Sequence, residues 1–91
     1  MSVTVRIPTT LRPLAGGAGE VTVEGATIRD VISSLDAAHP GFMDRLIDES
    51  GRLHRYVNVF VDDDDVRFRE GLATPVPEGQ TVAIVPAVAG G

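Results

Sequence analysis

One segment of this chain restricts its fold more than any other. Ile28, Val31, Ile32 and Leu35 follow Thr27 at the spacing i, i+3, i+4, i+7. That spacing puts four apolar side chains on one face of a helix. Thr27 stands as the N-cap with Asp30 three residues on, close to a capping box, and Pro40-Gly41 ends the helix. On either side the pattern changes to a period of two. Val3, Val5 and Ile7 alternate with Thr4 and Arg6, and Val21 and Val23 with Thr22 and Glu24, so each run reads as a half-buried strand. Pro8, Pro13 and Gly16-Gly17 mark the loop between them, and Gly25 closes the second strand.

After the helix, Phe42, Met43, Leu46 and Ile47 predict a second, short helical turn, closed by Ser50-Gly51. Val57, Val59 and Val61 alternate with Asn58 and Phe60 in a third strand. Asp62 to Asp65 read as turn residues, Val66 and Phe68 as a short fourth strand. Pro77-Glu78-Gly79 fits a type I turn with Pro77 at i+1 and Gly79 at i+3. Val82 and Ile84 lead the last strand, with Thr81, Ala83 and Val85 on its other face.

The order β-β-α-turn-β-β-β predicts an α+β fold, a mixed sheet of about five strands with one main helix packed on one face. With the first and last strands parallel at its centre, this is a β-grasp, the ubiquitin-like arrangement. No repeat or linker divides the 91 residues, which suit one domain of modest core. The expected division is a globular body over residues 1–86 and a flexible tail over 87–91.

Composition excludes several chemistries. There is no cysteine, hence no disulfide framework, thiolate nucleophile or Cys-ligated metal. A net charge of -5 argues against nucleic acid, whose phosphates need a basic face. No run approaches a membrane span, and the start MSVTVRIP lacks the features of a secretory leader, so the cytoplasm is the expected compartment. All eight basic residues are arginine, so no side-chain amine of this chain can form an isopeptide bond. The run Asp62 to Asp65 lacks the glycine and glutamate positions of an EF-hand and reads as a solvated turn. His39 and His54 are isolated, Arg52, His54 and Arg55 read as a surface basic cluster, and Ser33-Ser34 has no paired base. No intrinsic enzyme and no bound cofactor or metal is expected.

On the predicted sheet, Val82, Ile84, Val57, Val59 and Val61 face the helix. Phe60, Ala83 and Val85 then face out, with Arg6 near them across the first strand. An apolar patch there would suit a protein partner. Pro86 is expected to stop the last strand and release Ala87, Val88, Ala89, Gly90 and Gly91 as an arm, at most about 17 Å long when extended.

The stretches VNVFVDDDDVRF and GLATPVPEGQTVAIVPAVAGG, with Gly-Gly after a proline-interrupted last strand, resemble the ThiS/MoaD-type ubiquitin-like sulfur carriers over essentially the whole chain. Within that family they most resemble the CysO-type carriers of cysteine biosynthesis. The resemblance implies a protein cosubstrate. A ubiquitin-activating-like adenylyltransferase and sulfurtransferase uses ATP to adenylate the Gly91 carboxylate, and a sulfur donor converts it to a thiocarboxylate (a C-terminal 1-thioglycine). A PLP-dependent cysteine synthase using O-phosphoserine takes the sulfur, and a metallopeptidase releases cysteine. With Gly91 last, no trimming is expected. Two alternatives share the tail: the small subunit of molybdopterin synthase or a thiamin sulfur carrier, and a ubiquitin-like protein modifier.

Glycine suits this chemistry. Gly91 has no Cβ, so its acyl carbon is unhindered, and Gly90 can adopt angles closed to other residues in a narrow channel. A thioacid is far more acidic than a thiol of pKa about 8.5, so its sulfur is anionic and nucleophilic without a neighbouring base.

Overall fold

In the computed structural model residues 2–86 are described. Strand β1 (Ser2–Arg6) pairs antiparallel with β2 (Glu20–Glu24), Arg6 opposite Glu20. Helix α1 (Ile28–Ala38) and the short α2 (Phe42–Leu46) follow. Then come β3 (Val57–Val61), the two-residue β4 (Asp64–Asp65) and β5 (Thr81–Pro86). The sheet order is β2-β1-β5-β3-β4. β1 and β5 run parallel at its centre while β3 is antiparallel to β5. This is the mixed, five-stranded β-grasp that the sequence pattern predicts.

The core forms where the two periodicities meet. Val3, Val5, Val59, Val82 and Ile84 from the sheet bury against Ile28, Val31, Ile32 and Leu35 of α1 and against Phe42 and Leu46 of α2. Thr27 caps α1 as predicted, its hydroxyl accepting from the Asp30 N–H at 3.3 Å. The Asp30 carboxylate accepts in return from the Ala26 N–H at 3.4 Å, one residue before the cap. At the other end, Asp36 Oδ1 accepts from the N–H groups of Gly41 (3.1 Å) and Met43 (2.9 Å), which ties α2 to α1. Gly41 has φ +113°, a conformation that side chains resist, so the sharp break needs glycine there.

Three local expectations are corrected. The fourth strand is Asp64–Asp65, not Val66 and Phe68, which belong to a 3-10 turn over Val66–Phe68. Asp62 takes a left-handed φ of 55°, so Asp62 and Asp63 alone reverse the chain, and Val61 pairs with Asp64. The acidic run therefore holds both a turn and a strand. The turn near Pro77 sits one residue later than predicted, because the Gln80 N–H donates to the Pro77 carbonyl at 3.1 Å. Gly79, at φ +83°, then occupies the third position of a type II turn. The Gly79 N–H bonds the Ser2 carbonyl at 3.0 Å, which anchors that register to β1. Finally, the loop after Pro8 is wound into 3-10 turns over Thr9–Ala15, burying Leu11 and Ala15.

Candidate functional site

The sheet face away from α1 carries the residues singled out for partner contact. Register aligns Glu20, Arg6, Ala83, Phe60 and Asp65 in one row across all five strands. Side chains on adjacent strands in register are neighbours on the same face. Phe60 and Ala83 are half-buried in this row, and Arg6 is exposed, its Nε 3.9 Å from a Glu20 carboxylate oxygen. One step along, Val85 lies opposite Asn58 and is 43% exposed. The predicted patch is thus brought together, with Val85 its most open member and Phe60 partly covered.

Pro86 is the last residue of β5, opposite Val57, and is half-buried. The β1–β5 pairing ends at Arg6 and Ala83. Beyond it Pro8 turns the first chain into the 3-10 segment, and proline offers no N–H to continue a ladder. Val85 and Pro86 therefore keep β3 as their strand partner and, among the described residues, have no partner in register on the β1 side. An open groove of about 710 Å³ lies along that side, bounded by Arg6, Pro8, Arg12 and Glu20. Arg12 is held there by its Nε–H, which donates to the Ile7 carbonyl at 3.1 Å. The sequence reading missed Arg12 and Glu20 as neighbours of the last strand. The signal was the parallel pairing of first and last strands, which carries the β1–β2 end along with Arg6. Ala87, Val88, Ala89, Gly90 and Gly91 lie outside the described residues.

The remaining polar candidates have structural employment. Asp65 Oδ1 accepts from the Arg67 N–H at 2.9 Å, and Asp64 lies 3.6 Å from the Arg69 guanidinium. Ser34 Oγ–H donates to the Glu24 carbonyl at 2.6 Å, fixing α1 against β2. His39 is the C-cap of α1. Of the predicted basic cluster, Arg55 lies over the Tyr56 ring at 5.3 Å, His54 packs on the same ring, and Arg52 lines a cleft with Arg29 and Arg67. The arrangement suits a body that presents an open sheet face to another protein.

The family model of the ThiS family matches residues 5–91. The chain belongs to the ThiS family. Sulfur carrier protein CysO of Mycobacterium tuberculosis is 54% identical over 93 residues, covering 100% of both chains. A crystal structure of Mycobacterium tuberculosis CysO superposes with a TM-score of 0.91 at 52% identity, over 94% of this chain and 99% of that one. The crystal structure of the Amycolatopsis orientalis BexX/CysO complex gives a TM-score of 0.92 at 48% identity, over 98% and 99%. The ThiS-family chain described here therefore shares fold and full length with these CysO proteins. No helix among its described residues is long and apolar enough to cross a membrane.

Proposed function

We propose that this chain is a sulfur carrier acting in the cytoplasm, a protein cosubstrate and not a catalyst. The observation that carries the reading is 54% identity, from end to end, with a sulfur carrier, in a family match that runs through Gly91. Residues 87–91 serve as the arm and the β-grasp as its handle. An activating enzyme joins the Gly91 carboxylate to the AMP of ATP, releasing pyrophosphate. A sulfur donor then attacks the acyl carbon, AMP leaves, and a thiocarboxylate remains. Its sulfur adds to the aminoacrylate that a PLP-dependent synthase makes from O-phosphoserine. The cysteinyl thioester shifts to the amide, and a metallopeptidase hydrolyses that bond to release cysteine and restore the carboxylate.

Arg6, Phe60, Ala83 and Val85 are proposed to contact these partners, with Pro86 to Ala89 lining the partner's channel. The end of β5 at Val85 and Pro86, unpaired on the β1 side among the described residues, supports this, since an unpaired strand edge can receive another chain's backbone. The BexX/CysO complex is a case of a relative seated on a partner protein.

Intact mass spectrometry tests the reading. Incubated with its activating enzyme, ATP and sulfide, the chain should gain the mass difference between one oxygen and one sulfur. O-phosphoserine and the PLP-dependent synthase should then add cysteine to it. A chain that stays unchanged under these conditions, or yields only conjugates to lysines of other proteins, would overturn the proposal. Phe60→Ser, if folded, should lower kcat/KM of activation by about tenfold or more, the usual consequence of losing an aromatic anchor.

A further inference from the structure

The described surface has a second, differently built cleft. It has a volume of about 390 Å³ and lies between the first turn of α1, the loop after α2 and the 3-10 turns at Val66–Phe68 and Gly71–Ala73. Three arginines line it: Arg29, Arg52 and Arg67. Its apolar lining comes from Leu53 and Leu72, both half-buried, and one acid, Glu70, lines it as well. The whole chain has thirteen acidic residues against eight arginines. The cleft inverts that balance and gathers three of the eight.

The arginines are not equivalent. One terminal nitrogen of Arg67 donates to the carbonyls of Val57 (2.6 Å) and His54 (2.8 Å), which fixes its guanidinium against the start of β3. Arg29 and Arg52 are exposed, and their guanidinium groups form no ion pair among the described residues. Beside Arg67 on the same 3-10 turn stands Phe68, 86% exposed and the most open large apolar side chain described. Free cations and half-buried leucines line the cleft itself, and the bare aromatic follows Arg67 on the adjoining turn.

We propose that this cleft docks an acidic, leucine-bearing segment of a partner protein, as an interface separate from the open sheet face. Carboxylates of the segment would meet Arg29 and Arg52, and its apolar side chains would cover Leu53 and Leu72. Charge complementarity favours this occupant over a neutral one, and adds on-rate and specificity to what apolar contact supplies. The cleft opens on the α1 side of the sheet, whereas Phe60 and Ala83 are on the other. One partner can therefore hold the chain here while another covers the open sheet face. The inference does not depend on the tail's chemistry.

The test is a titration of the ¹⁵N-labelled chain with N-acetyl-Glu-Leu-Asp-Leu-Glu-amide, followed by amide shifts. Saturable shifts are expected at residues 29, 51–53, 67 and 70–73, and not at Phe60 or Ala83. Arg29→Ala and Arg52→Ala, both at exposed positions, should each weaken binding about threefold, in the range of solvent-exposed ion pairs. Salt at about 0.5 M should weaken it further. Several results would overturn the proposal: no saturable shifts, shifts centred on the open face, equal binding of N-acetyl-Gln-Leu-Asn-Leu-Gln-amide, or indifference to both substitutions. Inorganic phosphate reproducing the full response would show an ion site only, and would overturn it too. A concentration-dependent dimer by sedimentation, lost in Arg52→Ala, would make the occupant a second copy and equally overturn it.

Discussion

Two regions of this molecule are held together by different physics. The helix-on-sheet body is fixed by alternation and burial: Val5, Val59, Ile28 and Leu35 are wholly removed from water, and no single hydrogen bond decides their position. The loops on either side of β3, residues 48–56 and 62–74, lean more on a handful of polar contacts. Asp48 Oδ1 accepts from the Ser50 N–H (2.9 Å), the Ser50 hydroxyl (2.6 Å) and the Arg52 N–H (3.1 Å). Asp65 caps the turn that follows it, Arg67 ties that turn to β3, and Thr74 Oγ1 accepts from the Glu70 N–H at 3.0 Å. Burial spreads stabilisation over many contacts, so the body tolerates changes to its surface. The polar segment concentrates it in few atoms, so single substitutions can loosen it locally.

Leu35→Ala should show the largest effect. It leaves a cavity under a helix face that the body cannot close, at a cost of about 2–5 kcal/mol. In a domain of this size each kcal/mol lowers the thermal midpoint by roughly 4–8 °C. The whole molecule should melt earlier in one transition, followed by circular dichroism. A loss confined to one segment by hydrogen exchange would break the distinction between the two regions.

Arg67→Met should cost less, about 1–2 kcal/mol, the range for losing hydrogen bonds to a charged donor at a partly exposed site. The methionine keeps the aliphatic stem and removes the guanidinium. Protection from exchange should fall at residues 54–57 and 66–73 and stay near normal in β1 and β2. An equal loss throughout would make Arg67 part of the global core.

The body was legible in the sequence because its signals are repeated. Strands β1, β3 and β5 and helix α1 each set several apolar residues at one period, and Thr27 marks the helix start. The faces assigned to Phe60, Ala83 and Val85 follow from the same alternation, and the register sets Phe60 and Ala83 side by side. The polar segment was not legible in this way. Val66 and Phe68 look like two steps of a strand, yet one is fully buried and the other almost bare. A period needs more than two members to be read, and the left-handed Asp62 that moved the strand forward is one of four identical residues. The groove beside Pro86 and the arginine cleft depend on residues far apart in sequence. Their joint presence is a product of topology, which no local pattern states.

Asp65→Ala should sharpen the contrast further. It removes the acceptor for the Arg67 N–H and costs about 0.5–1 kcal/mol, like the loss of a helix cap. It should shift the β3–β4 hairpin amides and leave the α1 amides in place. Movement of the α1 signals would show that the hairpin and the body are coupled.

The smallest effect concerns acid. The Ser50 hydroxyl, and after it the Arg52 N–H, hold the Asp48 carboxyl below its ordinary value. A group whose folded pKa is depressed contributes stability that is present above its unfolded pKa and lost as pH falls through the folded one. The loop at residues 48–52 should therefore stay ordered at neutral pH and loosen only below the usual carboxylate range. Asp48 is half-buried, but the bonds it accepts all close one loop, so the effect on global stability should be slight while the local one is plain. Amide shifts of Ser50 and Arg52 should titrate together at low pH, before the core of the sheet responds. In Asp48→Asn that step should disappear, since the side-chain oxygen still accepts but no longer titrates. If the unsubstituted chain shows the step only at the pH where the sheet itself unfolds, the loop belongs to the cooperative body, and the division between burial-held and bond-held regions fails at its weakest point.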